Sequence, residues 1–236
     1  MAKALDLYAK VEDLLGLKEA SPKLYAHYLL ALNGVEFDSI LDVGCGGGDF
    51  LYQINRAFLP NRSLGIDLSP EMVKRAKEVG VDAKVIELCS VDDSFDVITA
   101  VFDMLNYLNR DEVKSFLLCI SNHLNSGGHF LCDINTLYGF EEVAVGAFIV
   151  DDDSRFLTIE SDFEDNIYSS EFTLFEKREN GIYHKSQETI KQYYYTPEEI
   201  EEILSDVGLE LIENSGVTLY LEEEDKRFLL FKKRDR

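Results

Sequence analysis

The run Ile40-Leu41-Asp42-Val43-Gly44-Cys45-Gly46-Gly47-Gly48 joins a short apolar stretch to a helical one opening at Asp49. Without Cβ atoms, glycines let the backbone turn tightly and approach a ligand, and the amides opening the following helix favour negative charge. Glycine fills four of the five positions 44–48, more than a bare turn needs. A pyrophosphate cradle of the GxGxxG kind requires glycine where Asp49 stands. Asp42 would also repel a pyrophosphate, but it suits an amino-bearing ligand, binding directly or through water. A second acid, Asp67, ends the next apolar run, Ser63-Leu64-Gly65-Ile66-Asp67. At the carboxyl edge of a parallel sheet, such a carboxylate can accept both hydroxyls of a ribose. An amine at one end and a ribose at the other suit S-adenosylmethionine.

A third group follows the apolar run Phe95–Ala100: Phe102, Asp103, Asn106 and Tyr107. If residues 103–107 form a helical turn, Asp103, Asn106 and Tyr107 share a face. Asp103 can then orient an amine or accept a proton. The histidines carry no comparable constellation: His27 and His123 fall on helices, His129 at a strand start and His184 on a solvated strand. Tyr193-Tyr194-Tyr195 serves equally as a pocket wall or as packing. Cys45, Cys89, Cys119 and Cys132 show no CxxC spacing and lie mostly in apolar stretches, so they read as buried free thiols in a reducing compartment. No zinc or calcium spacing is present, so no metal is expected.

Alternating strand and helix patterns must position these groups. Two helices precede residue 34, the second with Ser21 as N-cap and Pro22 at its first position. Strands at 39–43, 63–67, 83–86, 95–100 and 129–134 then alternate with helices at 49–58, 71–79 and 111–124, the last stopped by Asn125-Ser126-Gly127-Gly128. That alternation predicts an α/β fold, a parallel sheet with helices on both faces. Residues 154–195 switch to period 2, with a hairpin signal at Asn180-Gly181, and predict an antiparallel meander. Thr196-Pro197-Glu198-Glu199 caps a helix over 198–206, and 209–215 and 228–231 supply two last strands. The expected organisation is an N-terminal helical cover (1–34), a ligand-binding core (35–137), a β-rich insertion over the acceptor site (138–196) and a C-terminal helix with two core strands (197–236).

The chain has 236 residues, 45 acidic against 23 basic, and a net charge of −22. Such a field repels nucleic-acid backbones and anionic membranes, so neither is expected as a partner. The basic run Lys232-Lys233-Arg234 reads as a solvated tail, and the acidic runs Asp151–Asp153 and Glu222–Asp225 as solvated loops. With no apolar run of membrane-spanning length and no signal pattern, the expected location is cytoplasmic. Exposed strand edges leave a homodimer open.

The chain resembles the class I S-adenosylmethionine-dependent methyltransferases. The likeness rests on Leu41–Gly48, on Gly65-Ile66-Asp67-Leu68-Ser69-Pro70-Glu71-Met72, on Phe95–Thr99 with Phe102–Leu108, and on the Ser126-Gly127-Gly128 turn before the next strand. It implies a Rossmann-like seven-stranded sheet of order 3-2-1-4-5-7-6 with the seventh strand antiparallel, and S-adenosylmethionine as cofactor. Residue by residue, it implies that Gly44, Cys45 and Gly46 pass the methionine part and Asp42 lies beneath it. Asp67 holds the ribose, and Leu68 and Met72 flank the adenine. Phe102 and Asp103 line the sulfonium end. After the third strand the family often carries an acid near the adenine; here Glu87, Leu88 or Cys89 takes that place. Tyr8 resembles an N-terminal aromatic that closes over the methionine portion. The insertion, with Glu176–Gly181 and Tyr193–Glu199, is similar to that of small-molecule methyltransferases. The Pro-Pro-aromatic run of enzymes that methylate amino groups of nucleic acids or glutamine is missing. The expected activity is N- or O-methylation of a small acceptor, with Asp103, Asn106 and Tyr107 as catalytic candidates. The alternatives are a protein or RNA methyltransferase, a Rossmann-type oxidoreductase, for which neither GxGxxG nor Tyr-x-x-x-Lys is present, or a non-catalytic cofactor binder.

Overall fold

Hydrophobic side chains point alternately to two faces along each central strand, and both faces are buried. The computed structural model describes residues 2–179 and 181–235. Strands β1 (Ser39–Val43), β2 (Arg62–Asp67), β3 (Ala83–Val85), β4 (Phe95–Ala100), β5 (Leu124–Asn135), β10 (Leu209–Val217) and β11 (Lys226–Lys233) form one sheet. Its order is β10-β11-β5-β4-β1-β2-β3. β3, β2, β1, β4 and β5 run parallel, and β11 lies antiparallel between β5 and β10. This is the expected order, with the last strand inserted before the penultimate one.

Adjacent residues divide between the two faces. Leu41, Ile98, Phe130 and Phe231 pack with α5 (Arg110–His123) and α6 (Pro197–Asp206). Ile40, Val97, Leu131 and Phe228 pack with α2 (Leu17–Leu32), α3 (Asp49–Phe58) and α4 (Pro70–Glu78). Period-2 alternation along strands buried on both sides gives this two-layer core. Capping boxes at Asn109/Glu112 and Thr196/Glu199 start α5 and α6 by satisfying otherwise orphaned amides.

A second sheet, β6 (Gly146–Asp151), β7 (Arg155–Glu164), β8 (Ile167–Lys177) and β9 (Tyr183–Tyr193), is an antiparallel meander. It contains β6 in addition to the predicted strands. Leu157, Ile159, Phe172, Leu174 and Ile190 on one of its faces receive Leu7 and Val11 of α1 (Ala2–Val11). Asn180 of the hairpin signal lies outside the described residues, whereas Gly181 has φ 77°, as that turn requires.

Several local expectations are corrected. Helix α2 begins at Leu17, after Gly16 in the left-handed region, so Pro22 sits inside it and Ser21 is not its cap. Proline's fixed φ fits a helix, and near the N-terminus few backbone bonds are sacrificed. Residues 125–128 belong to β5 and form an irregularity in its pairing with β4, rather than a separate turn. Lys232 and Lys233 belong to β11, and Lys233 donates to the carbonyls of Ser121 and Leu124 at the end of α5. Asp225 is buried and accepts from the amides of Leu219 and Tyr220, so the acidic run is not wholly solvated.

The thiol expectation also fails in part. Cys89, exposed on the single turn Leu88–Ser90, is disulfide-bonded to Cys119 of α5, while Cys45 and Cys132 are free and buried. The Cα atoms of the bonded pair lie 5.4 Å apart, a juxtaposition that spacing alone cannot reveal. His123 reinforces the same junction, its ring nitrogens each 2.7 Å from the carbonyls of Cys119 and Val91.

Candidate active site

The glycine loop leaves β1 at the carboxyl edge of the sheet. Gly44 and Cys45 donate their amides to the Ile66 carbonyl of β2, at 2.8 and 3.0 Å, which folds the loop toward Asp67. Gly44 is exposed, so the loop presents main chain to the outside. Gly48 has φ 85°, and a Cβ there would stand 3.0 Å from Ala76 of α4. Both the turn and the packing of α4 thus require glycine. Gly65 is constrained from the other side, since a Cβ would lie 2.7 Å from the sulfur of Cys45. The Cys45 side chain is therefore packed into the sheet, and burial pushes its thiol up.

Asp67 stands half-buried at the end of β2. It accepts from the amide of Gly46 at 3.0 Å and that of Ser69 at 2.8 Å, tying the loop to the start of α4. Burial raises its pKa against those two hydrogen bonds. Asp42 is buried beneath the loop and accepts from Thr99 Oγ1 at 2.7 Å. Burial pushes its pKa up to about 7, the Thr99 hydrogen bond opposing and the charge of Asp67 adding. Leu68 is exposed at the same edge, Met72 is buried in the first turn of α4, Glu87 is exposed and Leu88 buried. The side of the site after β3 is braced by the disulfide and His123.

Beyond β4 the chain makes an unusual turn. Phe102 and Asp103 take φ values of 59° and 49°, a region that bulky L-residues seldom enter. The turn Met104–Tyr107 follows. Asp103 receives a hydrogen bond from Gln192 Nε2 of β9 on one oxygen and an ion pair from Lys226 of β11 on the other. Gln192 also hydrogen-bonds the hydroxyl of Tyr107. Tyr8 of α1 lies edge-on to Phe172 and within the field of Tyr107, Asp103 and Tyr220. Burial pushes the hydroxyls of Tyr8 and Tyr107 well above the ordinary tyrosine range.

Asn106 does not share this position. It is wholly buried, donates to the Tyr193 carbonyl at 2.8 Å and accepts the Asn135 amide at 3.0 Å. Its amide fastens the turn to β9 and β5, parting it from Asp103 and Tyr107. Tyr193 and Tyr195 pack with the core, Tyr195 donating to the Leu108 carbonyl, and Tyr194 meets Phe140 edge-on, so the tyrosine run goes into packing. His129 is half-buried opposite Lys232, and burial and that lysine lower its pKa. Asp133, Gln192 and Lys226 escaped the sequence analysis. The available signal was a lone acid in the apolar run Phe130–Ile134; Lys226, between Asp225 and Arg227, reads as part of a charged run ahead of Phe228–Phe231.

A glycine loop after β1, an acid closing β2 and a 3-2-1-4-5-7-6 sheet with its seventh strand reversed define a Rossmann-like methyltransferase fold. A methyltransferase-domain family model matches residues 40–128. A Geobacillus sp. (strain WCH70) protein bearing a methyltransferase name is 27% identical over 187 residues, 74% of each chain. An S-adenosylmethionine-dependent methyltransferase from Clostridium acetobutylicum is 25% identical and superposes with a TM-score of 0.74 over 98% of both chains. The sugar N-methyltransferase KedS8 from Streptoalloteichus sp. shares the fold, with a TM-score of 0.74 at 17% identity, covering 100% of this chain and 94% of that one. The family model, these relatives and the shared fold together support a class I S-adenosylmethionine-dependent methyltransferase. It is a transferase, and S-adenosylmethionine is its cofactor.

Proposed function

We propose that the enzyme methylates a small polar molecule, on an amine or a hydroxyl, presented between α1, the meander and the end of β4. The observation that carries this reading is Asp103. Its side chain, only 15% exposed, is fixed by Lys226 and Gln192 at the carboxyl edge of the sheet, with Tyr8 and Tyr107 beside it. A carboxylate so recessed suits a group on a small molecule better than a folded polymer. The net charge of −22 argues against RNA. The fold shared with a sugar N-methyltransferase supports an amine as acceptor.

The residues fit the cofactor. The main chain of the glycine loop, exposed at Gly44, suits the methionine part, with buried Asp42 beneath it, and Asp67 suits the ribose hydroxyls. Leu68 and Met72, with Glu87 and Leu88 across the site, mark the adenine side. When bound, S-adenosylmethionine supplies an electrophilic methyl carbon on a good leaving group, open to in-line displacement. Positioning then does much of the catalysis. Asp103 accepts a hydrogen bond from the acceptor N–H or O–H and turns its lone pair toward Phe102, at the sulfonium end. Tyr8 and Tyr107 shield that contact from water, and Asn106 holds the turn that carries it.

The test is incubation with S-adenosylmethionine and separate panels of small amines including aminosugars, small alcohols, basic proteins and RNA, read by mass spectrometry. A gain of one methyl group by a small molecule is expected. Methyl transfer only to protein or RNA would overturn the reading.

A further inference from the structure

The turn after β4 holds two successive non-glycine residues, Phe102 and Asp103, in the left-handed region. Such conformations are costly for residues with a Cβ and persist only where the surroundings impose them. The imposing group is Asp133 of β5, which is fully buried. Its Oδ1 accepts the Phe102 amide and its Oδ2 the Asp103 amide, both at 2.8 Å. Tyr28 donates to Oδ1 at 2.7 Å, and the Lys226 ammonium stands 3.2 Å from Oδ2. Burying a carboxylate is expensive, and an apolar residue would fill a core strand more cheaply. Backbone amides converging on an anion are a means of fixing such a turn.

We propose that Asp133 is a positioning residue for methyl transfer: by gripping the amides of Phe102 and Asp103 it fixes the left-handed turn that carries the Asp103 carboxylate to the acceptor and Phe102 to the cofactor. Lys226 serves the same arrangement from the other side. Its ammonium donates to Asp103 and, at 2.7 Å, to Asn135 Oδ1, and it stands in ion-pair contact with Asp133. It therefore orients the two acids rather than binding a ligand. The proposal rests on the reading of Asp103 as the carboxylate that faces the acceptor.

The experiment compares Asp133→Asn with Tyr28→Phe in the full chain. An asparagine can satisfy only one of the two backbone amides, and its own NH2 opposes the other; Tyr28→Phe removes a donor to Asp133 but leaves the grip. Two readouts are taken below the onset of unfolding: the 15N-resolved amide resonances of Phe102 and Asp103, and calorimetric titration with S-adenosylhomocysteine. Asp133→Asn is expected to move both resonances upfield and to weaken S-adenosylhomocysteine about fivefold or more, as loss of about one hydrogen bond's net value implies. Tyr28→Phe is expected to stay within about twofold. Unmoved resonances, or equal effects of the two variants, would overturn the proposal. If Asp133→Asn does not fold, Asp133→Glu serves, since its longer side chain displaces the turn while keeping the charge; unshifted resonances and unchanged affinity there are the overturning result. Neither readout uses an acceptor. Asp103→Asn tests the underlying reading separately, because it keeps both backbone amides: loss of transfer with unchanged S-adenosylhomocysteine affinity supports that reading, and unchanged transfer removes it while the Asp133 result stands.

Discussion

Lys226 and Asp103, 123 positions apart in sequence, form a buried ion pair at the centre of the site, their side chains 4% and 15% exposed. The pair joins the antiparallel strand β11 to the turn after β4, and Asp133 of β5 lies in contact with the same ammonium. Burial acts to lower the lysine's pKa, but Asp103 and then Asp133 outweigh it, so the ammonium is held above its ordinary value. Removing one partner of such a group leaves uncompensated charge in the interior. Lys226→Met is therefore expected to destabilise the protein by about 3–5 kcal/mol in urea unfolding. Adding Asp103→Asn to it is expected to restore part of that loss, and additive losses would show that the two groups are uncoupled.

Asp42 gives a pH dependence with a definite sign. Its carboxyl is raised by burial to about 7 in the folded protein, against about 3.9 when unfolded. Between those values the native state holds a proton that the unfolded state has lost. The stability this proton confers is complete below about pH 4 and is lost as pH rises to about 7. Asp67 and Asp133, both raised by burial, act in the same direction. Asp42→Asn is expected to flatten part of the decline in Tm from about pH 5 to about pH 7. In calorimetry S-adenosylhomocysteine should bind more tightly as pH rises to about 7 and then level off, because its ammonium favours ionised Asp42. A pH-independent affinity over that interval would separate Asp42 from the ligand amine.

Asp67 is the residue on which adenosine binding should depend most. Asp67→Ala removes a carboxylate acceptor for two hydroxyls, each hydrogen bond to a charged group being worth about 1.5–3 kcal/mol. Affinity for S-adenosylhomocysteine is expected to fall by about a hundredfold or more, with no heat from NADH in either protein. An unchanged affinity would place the ribose elsewhere.

The Cys89–Cys119 bond closes a loop with a sequence separation of 30. A cross-link of that span contributes about 3–4 kcal/mol through the unfolded state. Thiol titration of the denatured, unreduced protein should find two reactive cysteines, and four after reduction. Cys119→Ser and reductant should each lower Tm, and together no further than either alone. Four reactive thiols before reduction would show the bond unformed in the purified protein.

Much of this molecule is written in its local patterns. The runs Leu41–Gly48 and Gly65–Asp67 announce two strands of the parallel sheet and the edge at which the glycine loop meets Asp67, because glycine and strand-end acids act where they stand. The Asn109 and Thr196 capping boxes are equally local. What the sequence leaves obscure depends on distant pairing. Cys89 meets Cys119 only after α5 packs beneath the turn at 88–90. Asp133 looks like an isolated charge in an apolar strand, and Lys226 like one more member of the charged run Glu222–Arg227, until β11 inserts beside β5 and opposes them to the turn at 102–103. Asn106 and Tyr107 are neighbours in sequence, yet one fastens backbone and the other meets Gln192, since a tight turn divides adjacent side chains between the core and the site.

The insertion of β11 between β5 and β10 also sets an order of assembly. A growing chain that has reached β5 already contains every residue of the glycine loop, Asp67 and Asp133, but lacks the lysine that compensates two buried acids and the strand that covers one edge of β5. The glycine loop and Asp67 can be complete while Asp103 and Asp133 still lack their counter-charge. Long-range strand pairing is slow to form, so the buried charge of Asp103 and Asp133 is balanced only once this last strand has docked.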